Sequence, residues 1–186
     1  QKKDIKTGYF GEVQNIDIKA AYASVLKRFY FIQEETYNYI MTLPKINRLA
    51  AVGMTAARKT VFNYEGTKIT GSEKIINPLE GYFYFCVKEI EKLMLYLELT
   101  LEESFIFSWV DGIYFKDPTK TEYAKKDIEQ YGLNCTEQTL RDFNIKRQNE
   151  VLQLTFYDKK DEYKLFHLPL PQNSFNKDLL TYHNLI

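Results

Sequence analysis

The stretch FSWVDGIYF, residues 107–115, predicts two short strands joined by a tight turn. Its apolar and aromatic residues are typical of strands, and one carboxylate, Asp111, interrupts them just before Gly112. Asp-Gly is a favoured pair at the centre of a type I′ hairpin turn. A second interpretation is that the turn holds a metal-binding carboxylate at the edge of a cleft. Residue 111 alone does not decide between the two, so a partner carboxylate is needed.

The composition indicates a chain with ample material for a core and no overall charge. Of the 186 residues, 45% are hydrophobic and 16% aromatic, which is sufficient for one well-packed domain. Because 25 basic residues balance 25 acidic ones, any nucleic-acid-binding surface has to be local. The two cysteines, Cys86 and Cys135, indicate neither a zinc cluster nor a disulfide framework, and they favour a reducing compartment.

The chain shows no signal for secretion or for a membrane. It contains no run of about 18 apolar residues and no recognisable signal peptide, so we expect a cytoplasmic protein with no membrane partner. It also begins without a methionine, which favours either a fragment of a longer chain or the ordered part of one.

The spacing of apolar residues predicts an α+β fold, with helices packed on one face of an antiparallel sheet. Strands are predicted over residues 8–18, within 107–115, and over 151–157 and 162–168. Helices are predicted over residues 20–32, 45–62 (opened by Pro44), 79–99 and 119–132. Residues 63–78 are predicted to form a loop or short hairpin, and the tail after Pro169 a loop with at most one short helix.

Asp17, at the end of the first predicted strand, is the candidate partner of Asp111. Asp17 can be an N-cap, because its carboxylate can accept from the exposed N–H groups of a helix that starts just after it. The two aspartates nevertheless share a setting, since each stands where an apolar strand ends or turns. Two such carboxylates from neighbouring strands make an oxygen-rich site suited to Mg²⁺.

Three segments in this order resemble the motifs of family B DNA polymerases. DIKAAYAS, residues 17–24, resembles motif A, D-x-x-S-L-Y-P-S, and matches it at Asp17, Tyr22 and Ser24. FSWVDGIYF resembles motif C, Y-G-D-T-D-S-I-Y-F, with Asp111 on the second aspartate and Trp109 in place of the first. Between them KINRLAAVG, residues 45–53, has the frame of motif B, K-x-x-x-N-S-x-Y-G, although only its first and last residues match.

The resemblance implies a polymerase palm domain with a two-metal mechanism. It implies that Asp17 and Asp111 are catalytic and bind two Mg²⁺ (or Mn²⁺) ions between the primer 3′-hydroxyl and the incoming triphosphate. It further implies that the backbone carbonyl of Ile18 lies beside the metal, that Tyr22 packs under the sugar and excludes a 2′-hydroxyl, and that Lys45 reaches the phosphates, assisted by Arg48.

The implied partners are primer-template DNA and dNTP, with other segments or subunits of a larger polymerase as further candidates. The implied source is a virus or a mobile element, which would place the protein in the host cytoplasm. The implied organisation is one palm-like domain over residues 1–186. It would carry a reduced fingers-like helical insertion at 25–60 and a C-terminal extension with a β-hairpin at 117–186.

Two other readings of the chain stay open. Trp109 and the altered motif B favour a degenerate palm that acts as a nucleic-acid-binding or structural subunit. Alternatively, the chain is an unrelated α+β domain in which Asp17 is a cap and Asp111 a turn residue. His167 and His183 are isolated and are predicted to be non-catalytic, and Cys86 is predicted to belong to the core.

Overall fold

The computed structural model of the chain describes residues 5–149 and 151–169, without the side chains of Arg58 and Pro169. The tail after Pro169 and His183 lie outside the described residues. The chain divides into two compact units, residues 16–137 and residues 1–15 with 138–186. The predicted fingers-like and C-terminal boundaries stay predictions.

The described residues contain both helices and strands, which confirms the α+β class. The strands are β1 (Gly8–Ile18), β2 (Arg58–Glu65), β3 (Lys68–Ile76), β4 (Phe105–Trp109), β5 (Gly112–Phe115), β6 (Cys135–Gln148), β7 (Val151–Tyr157) and β8 (Tyr163–Pro169). The helices are α1 (Ala21–Arg28), α2 (Glu34–Thr42), α3 (Lys45–Gly53), α4 (Glu80–Leu101) and α5 (Thr121–Gln130).

Six strands form one sheet in the order β4-β5-β1-β6-β7-β8, and β2 pairs with β3 in a separate antiparallel hairpin. The pairs β4–β5, β6–β7 and β7–β8 are antiparallel. This order places the end of β1 beside the β4–β5 hairpin, so the sheet brings the two predicted carboxylates to neighbouring strands.

The core of the 16–137 unit is built around α4, whose apolar residues recur three and four apart. Cys86, Ile90, Leu93 and Leu97 are at most 3% exposed and pack with residues of β1, α1, β5 and α5. Burying one such side chain contributes about 1.5–3 kcal/mol. The buried Cys86 confirms its prediction as a core residue.

The unit of residues 1–15 and 138–186 has an aromatic core across its strands. Phe143, Phe156 and Phe166 stack in sequence on β6, β7 and β8, with ring centroids 5.6 and 5.7 Å apart. Phe10 of β1 meets Phe143 edge-on at 6.3 Å. Such pairs contribute beyond the area they bury, so these strands are held by aromatic contacts as well as by their hydrogen bonds.

The helix predicted over residues 45–62 is wrong in its second half. Helix α3 ends at Gly53, a short 3₁₀ turn covers Met54–Ala56, and Ala57 is extended at φ −66° and ψ 128°. Residues 58–62 therefore begin β2, and the predicted loop or short hairpin at 63–78 is part of the longer β2–β3 hairpin.

Helix α1 is also shorter than predicted, since it ends at Arg28 and Tyr30 turns to a left-handed φ of +59°. The elements α2 and β6 were not predicted. No helix within the described residues is long and apolar enough to cross a membrane.

Candidate functional site

The β4–β5 hairpin carries Asp111 in a two-residue loop. Trp109 pairs with Gly112, so Val110 and Asp111 form the loop and Gly112 begins β5. The prediction of Asp-Gly as the central pair is therefore wrong by one residue. Only the first loop residue, Val110, has a positive φ, at +53°, whereas a type I′ turn needs two. A β-branched residue in this region is strained by about 1–3 kcal/mol, as is common at functional sites.

The end of β1 places Asp17 beside this loop. The N–H of Ile18 donates to the backbone carbonyl of Asp111 at 3.0 Å. Ala20 then adopts a left-handed conformation, with φ 46° and ψ 48°, and is the N-cap residue of α1 without a side-chain hydrogen bond. The interpretation of Asp17 as the N-cap is wrong, because Asp17 lies three positions before the cap residue Ala20. Its carboxylate is exposed where the strand ends.

Every predicted site residue lines one cavity of about 650 Å³. Its lining includes Asp17, Ile18, Tyr22, Lys45, Arg48 and Asp111. These residues come from β1, α1, α3 and the hairpin loop, so the fold brings together positions up to 94 residues apart, from 17 to 111. The cavity lies wholly within the 16–137 unit.

The cavity disfavours the ionised form of both aspartates. Desolvation, followed by the negative charge of Asp111, raises the pKa of Asp17 to about 6, and the Lys45 charge offsets this only in part. Desolvation raises the pKa of Asp111 as well, while its own N–H and Lys45 act against the rise. The Asp17 side chain is accessible to solvent, yet the surrounding cavity removes part of its hydration. A cation bound between the two carboxylates would relieve both effects.

Tyr22 lines the cavity and also packs against α4. Its half-buried ring stacks on Phe83 with centroids 5.4 Å apart and an interplanar angle of 10°, which is a packing contact. Burial and then the charge of Asp111 raise the pKa of its hydroxyl. Its backbone carbonyl accepts from the Cys86 thiol at 3.6 Å. Tyr22 is thus a packed aromatic residue that also lines the cavity.

Helix α3 contributes two of the basic residues that line the cavity. Pro44 precedes its first turn, where proline costs no hydrogen bond. Lys45 is exposed, and its charge acts on both Asp17 and Asp111. Arg48 follows one turn later and donates from Nη1 to the carbonyl of Met41 at 3.3 Å. The helix therefore presents positive charge to the part of the cavity that holds the carboxylates.

Tyr114 was not predicted as a site residue, although the charges of both aspartates act on its hydroxyl. Burial raises its pKa to about 12, with further contributions from the charges of Asp17 and Asp111. Its ring stacks on Phe107 across the hairpin, with centroids 4.3 Å apart. The sequence signals for it were its position three residues after Asp111 and its match to the tyrosine of the motif C pattern.

The residues present suit a divalent cation that uses few protein ligands. Within the described residues there is no group of three or more His, Cys, Asp or Glu side chains that could hold a metal ion. Mg²⁺ binds through one or two carboxylates together with substrate phosphates and water. The pair Asp17 and Asp111, each with a raised pKa, fits that donor set.

Of the two histidines, only His167 falls within the described residues. His167 is exposed on β8, where its Nε2 is 3.5 Å from the Gln153 amide, and it does not line the cavity.

No protein-family model matches the chain, and a search of curated proteins finds no significant match. The resemblance to the family B palm therefore stays a prediction.

Proposed function

We propose that the chain carries out nucleotidyl transfer of the DNA polymerase type, as a minimal or partial family B palm. The observation that supports this most is the convergence of Asp17 and Asp111, from neighbouring strands, on one cavity that also holds Lys45. The raised pKa of each carboxylate supports a site made for positive charge. The three motif-like segments supply the reaction class.

The chain's residues divide the work of phosphoryl transfer. The primer 3′-oxygen forms a bond to the α-phosphorus, and the bond to pyrophosphate breaks. Asp17 and Asp111 would hold Mg²⁺ or Mn²⁺, which supplies charge neutralisation to the attacking and leaving oxygens when bound. Lys45 adds a point charge for the triphosphate. Catalysis of this kind rests on positioning and electrostatics rather than on covalent chemistry.

The flanking residues position the nucleotide. Tyr22, backed by Phe83, supports the sugar, and the hydrogen bond from the Ile18 N–H to Asp111 fixes the distance between strand and loop. Arg48, steadied by the Met41 carbonyl, adds positive charge for the phosphates. The partners in this proposal are primer-template DNA and dNTP, and the place of action is the cytoplasm.

A second function is favoured by one feature of the site. Trp109 stands in the cavity where the family resemblance would place another carboxylate, which leaves two acidic side chains at the site. A palm with fewer metal ligands can bind a nucleic acid without extending it. The alternative is therefore a nucleic-acid-binding or structural subunit.

Primer extension on a short primed DNA template separates the two functions. The wild-type chain is compared with Asp17→Asn and Asp111→Asn, in Mg²⁺ and in Mn²⁺. Glu91→Gln, an exposed carboxylate on α4 that does not line the cavity, is the matched control. We expect extension by the wild type and the control, and a loss on the order of a thousandfold in each aspartate variant.

Either other result would change the assignment. DNA binding by all four proteins without extension would contradict the polymerase proposal and favour the binding subunit. Extension that persists in Asp111→Asn would show that the activity does not use this site.

A further inference from the structure

Trp109, the single tryptophan of the chain, lies in the proposed catalytic cavity. It is the last residue of β4, and its cross-strand partner is Gly112, which has no side chain to cover the indole. Its side chain is partly exposed. Val110 alone separates it from Asp111, so an aromatic ring and a metal-type carboxylate share one short hairpin.

The cavity is lined by both charged and apolar side chains. Asp17, Asp111 and Lys45 are among its charged lining residues, and the stacked Tyr22 and Phe83 are among its apolar ones. Apolar side chains of α2 and α3, Met41, Leu49 and Val52, extend that lining. A ligand that matches this lining carries both phosphates and a flat apolar ring.

We propose that the indole of Trp109 is a stacking platform for the base of a nucleotide or chain end whose phosphates face Asp17, Asp111 and Lys45. Naming a nucleotide as the ligand rests on the proposed function, whereas the stacking role rests on the place of Trp109 in the cavity. The resemblance places a carboxylate at this position. A stacking role for Trp109 is therefore a feature of this chain and is not implied by the resemblance.

The exchange of a carboxylate for an indole has a physical consequence. Trp109 adds no negative charge to a cavity in which two aspartates already repel each other, and it offers a large π-face instead. Bases stack on aromatic side chains with little regard to sequence, because every base has such a face. Trp109 is therefore a positioning residue that contributes affinity without selecting a base.

The lone tryptophan makes the contact directly observable. Fluorescence of Trp109 in the wild-type chain is titrated separately with primed DNA and with dNTP plus Mg²⁺, and absorption by the ligand is corrected with free N-acetyltryptophanamide. We expect quenching and protection from acrylamide by the ligand whose base stacks. Quenching by DNA alone assigns the base to the primer end, and quenching by dNTP alone assigns it to the incoming nucleotide.

Substitutions separate stacking from a structural role. We expect Trp109→Ala to weaken binding of that ligand about tenfold, and Trp109→Phe to stay within about threefold of the wild type, because it keeps a ring. Binding of labelled primed DNA is followed by anisotropy, and dNTP binding by calorimetry. Tyr123→Ala removes a 70% exposed aromatic side chain that does not line the cavity and is the matched control. Far-UV circular dichroism checks that each variant folds.

The outcomes separate this inference from the proposed function. Ligand binding with no change in Trp109 fluorescence, or equal affinity in Trp109→Ala, would overturn the stacking role while extension activity could still stand. Stacking without primer extension would keep the inference and contradict the polymerase proposal. Binding of neither ligand would overturn the inference. The fluorescence readout remains decisive if Trp109→Ala does not fold, since it uses the unaltered chain.

Discussion

Glu89 and the pair Asp17 and Asp111 are carboxylate sites of one structural unit with opposite electrostatics. Glu89, on α4, is 7% exposed, and burial alone would raise its pKa. Hydrogen bonds from Lys92 and Tyr131, with the charges of Lys92 and Arg28, hold that pKa below its usual value instead. Asp17 is more exposed, yet its pKa is raised to about 6.

The difference shows that partners, more than burial, decide what a carboxylate does here. The charge of Glu89 is satisfied by donors from its own helix and from the residue that follows α5, and Arg28 lies 3.8 Å from the Tyr131 ring centroid. That arrangement ties secondary-structure elements together. The charges of Asp17 and Asp111 repel each other and are only partly offset by Lys45. Their arrangement costs stability and leaves negative charge for a cation.

The largest stability effect should come from breaking the satisfied site. Glu89→Ala leaves the Tyr131 hydroxyl and Lys92 without their acceptor and removes the negative charge near Arg28, so we expect a loss of about 2 kcal/mol in the free energy of unfolding. Urea denaturation measures the change, with Glu91→Ala on the exposed side of the same helix as the control. Equal stability of the two variants would mean that the Glu89 contacts do not hold the fold.

A smaller effect of opposite sign should come from the aspartate site. The folded pKa of Asp17 lies above its unfolded value of 3.8. The folded chain therefore binds the proton more tightly, and stability falls as pH rises from about 4 to about 6. Since the side chain is exposed and screened by solvent, we expect Asp17→Asn to raise stability by only about 1 kcal/mol at about pH 7, without divalent ions.

The sign of this effect is its test. Thermal unfolding in a chelator should show Asp17→Asn above the wild type at about pH 7, and the two converging at about pH 3, where Asp17 is largely protonated in both states because its unfolded pKa is 3.8. A variant that is less stable than the wild type at neutral pH would show that the Asp17 carboxylate stabilises the fold, as Glu89 does.

The sequence predicted the elements whose periodicity is regular and missed those where local geometry interrupts it. Helix α4 and the strand β7 keep their apolar spacing throughout. In β6 the buried Leu140, Phe143 and Ile145 are not evenly spaced, because the pairing with β7 shifts register between Arg141 and Asn144 and Asp142 has a φ of +52°. Because of that irregularity, no alternating apolar pattern indicated β6 as a strand. Helix α2 has no buried residue, so it left no apolar pattern to read.

The sequence identified only those site residues whose side-chain type itself indicates their chemistry. Asp17 and Asp111 were identified as a pair because each carboxylate ends an apolar strand. Tyr114 was missed because its closeness to both arises from the sheet order, which places β1 beside β5. The helical reading of residues 58–62 failed because the alanine-rich run before them has no helix-breaking residue after Gly53.

Binding of Mn²⁺, followed by electron paramagnetic resonance, tests most directly whether Asp17 and Asp111 form one shared cation site. We expect the wild type and Glu91→Gln to bind the ion, and both Asp17→Asn and Asp111→Asn to lose most of that binding. We also expect weaker binding at about pH 5, because the pKa of Asp17 is about 6 and its proton competes with the ion. Equal binding by the wild type and Asp111→Asn, unaffected by pH, would contradict the account.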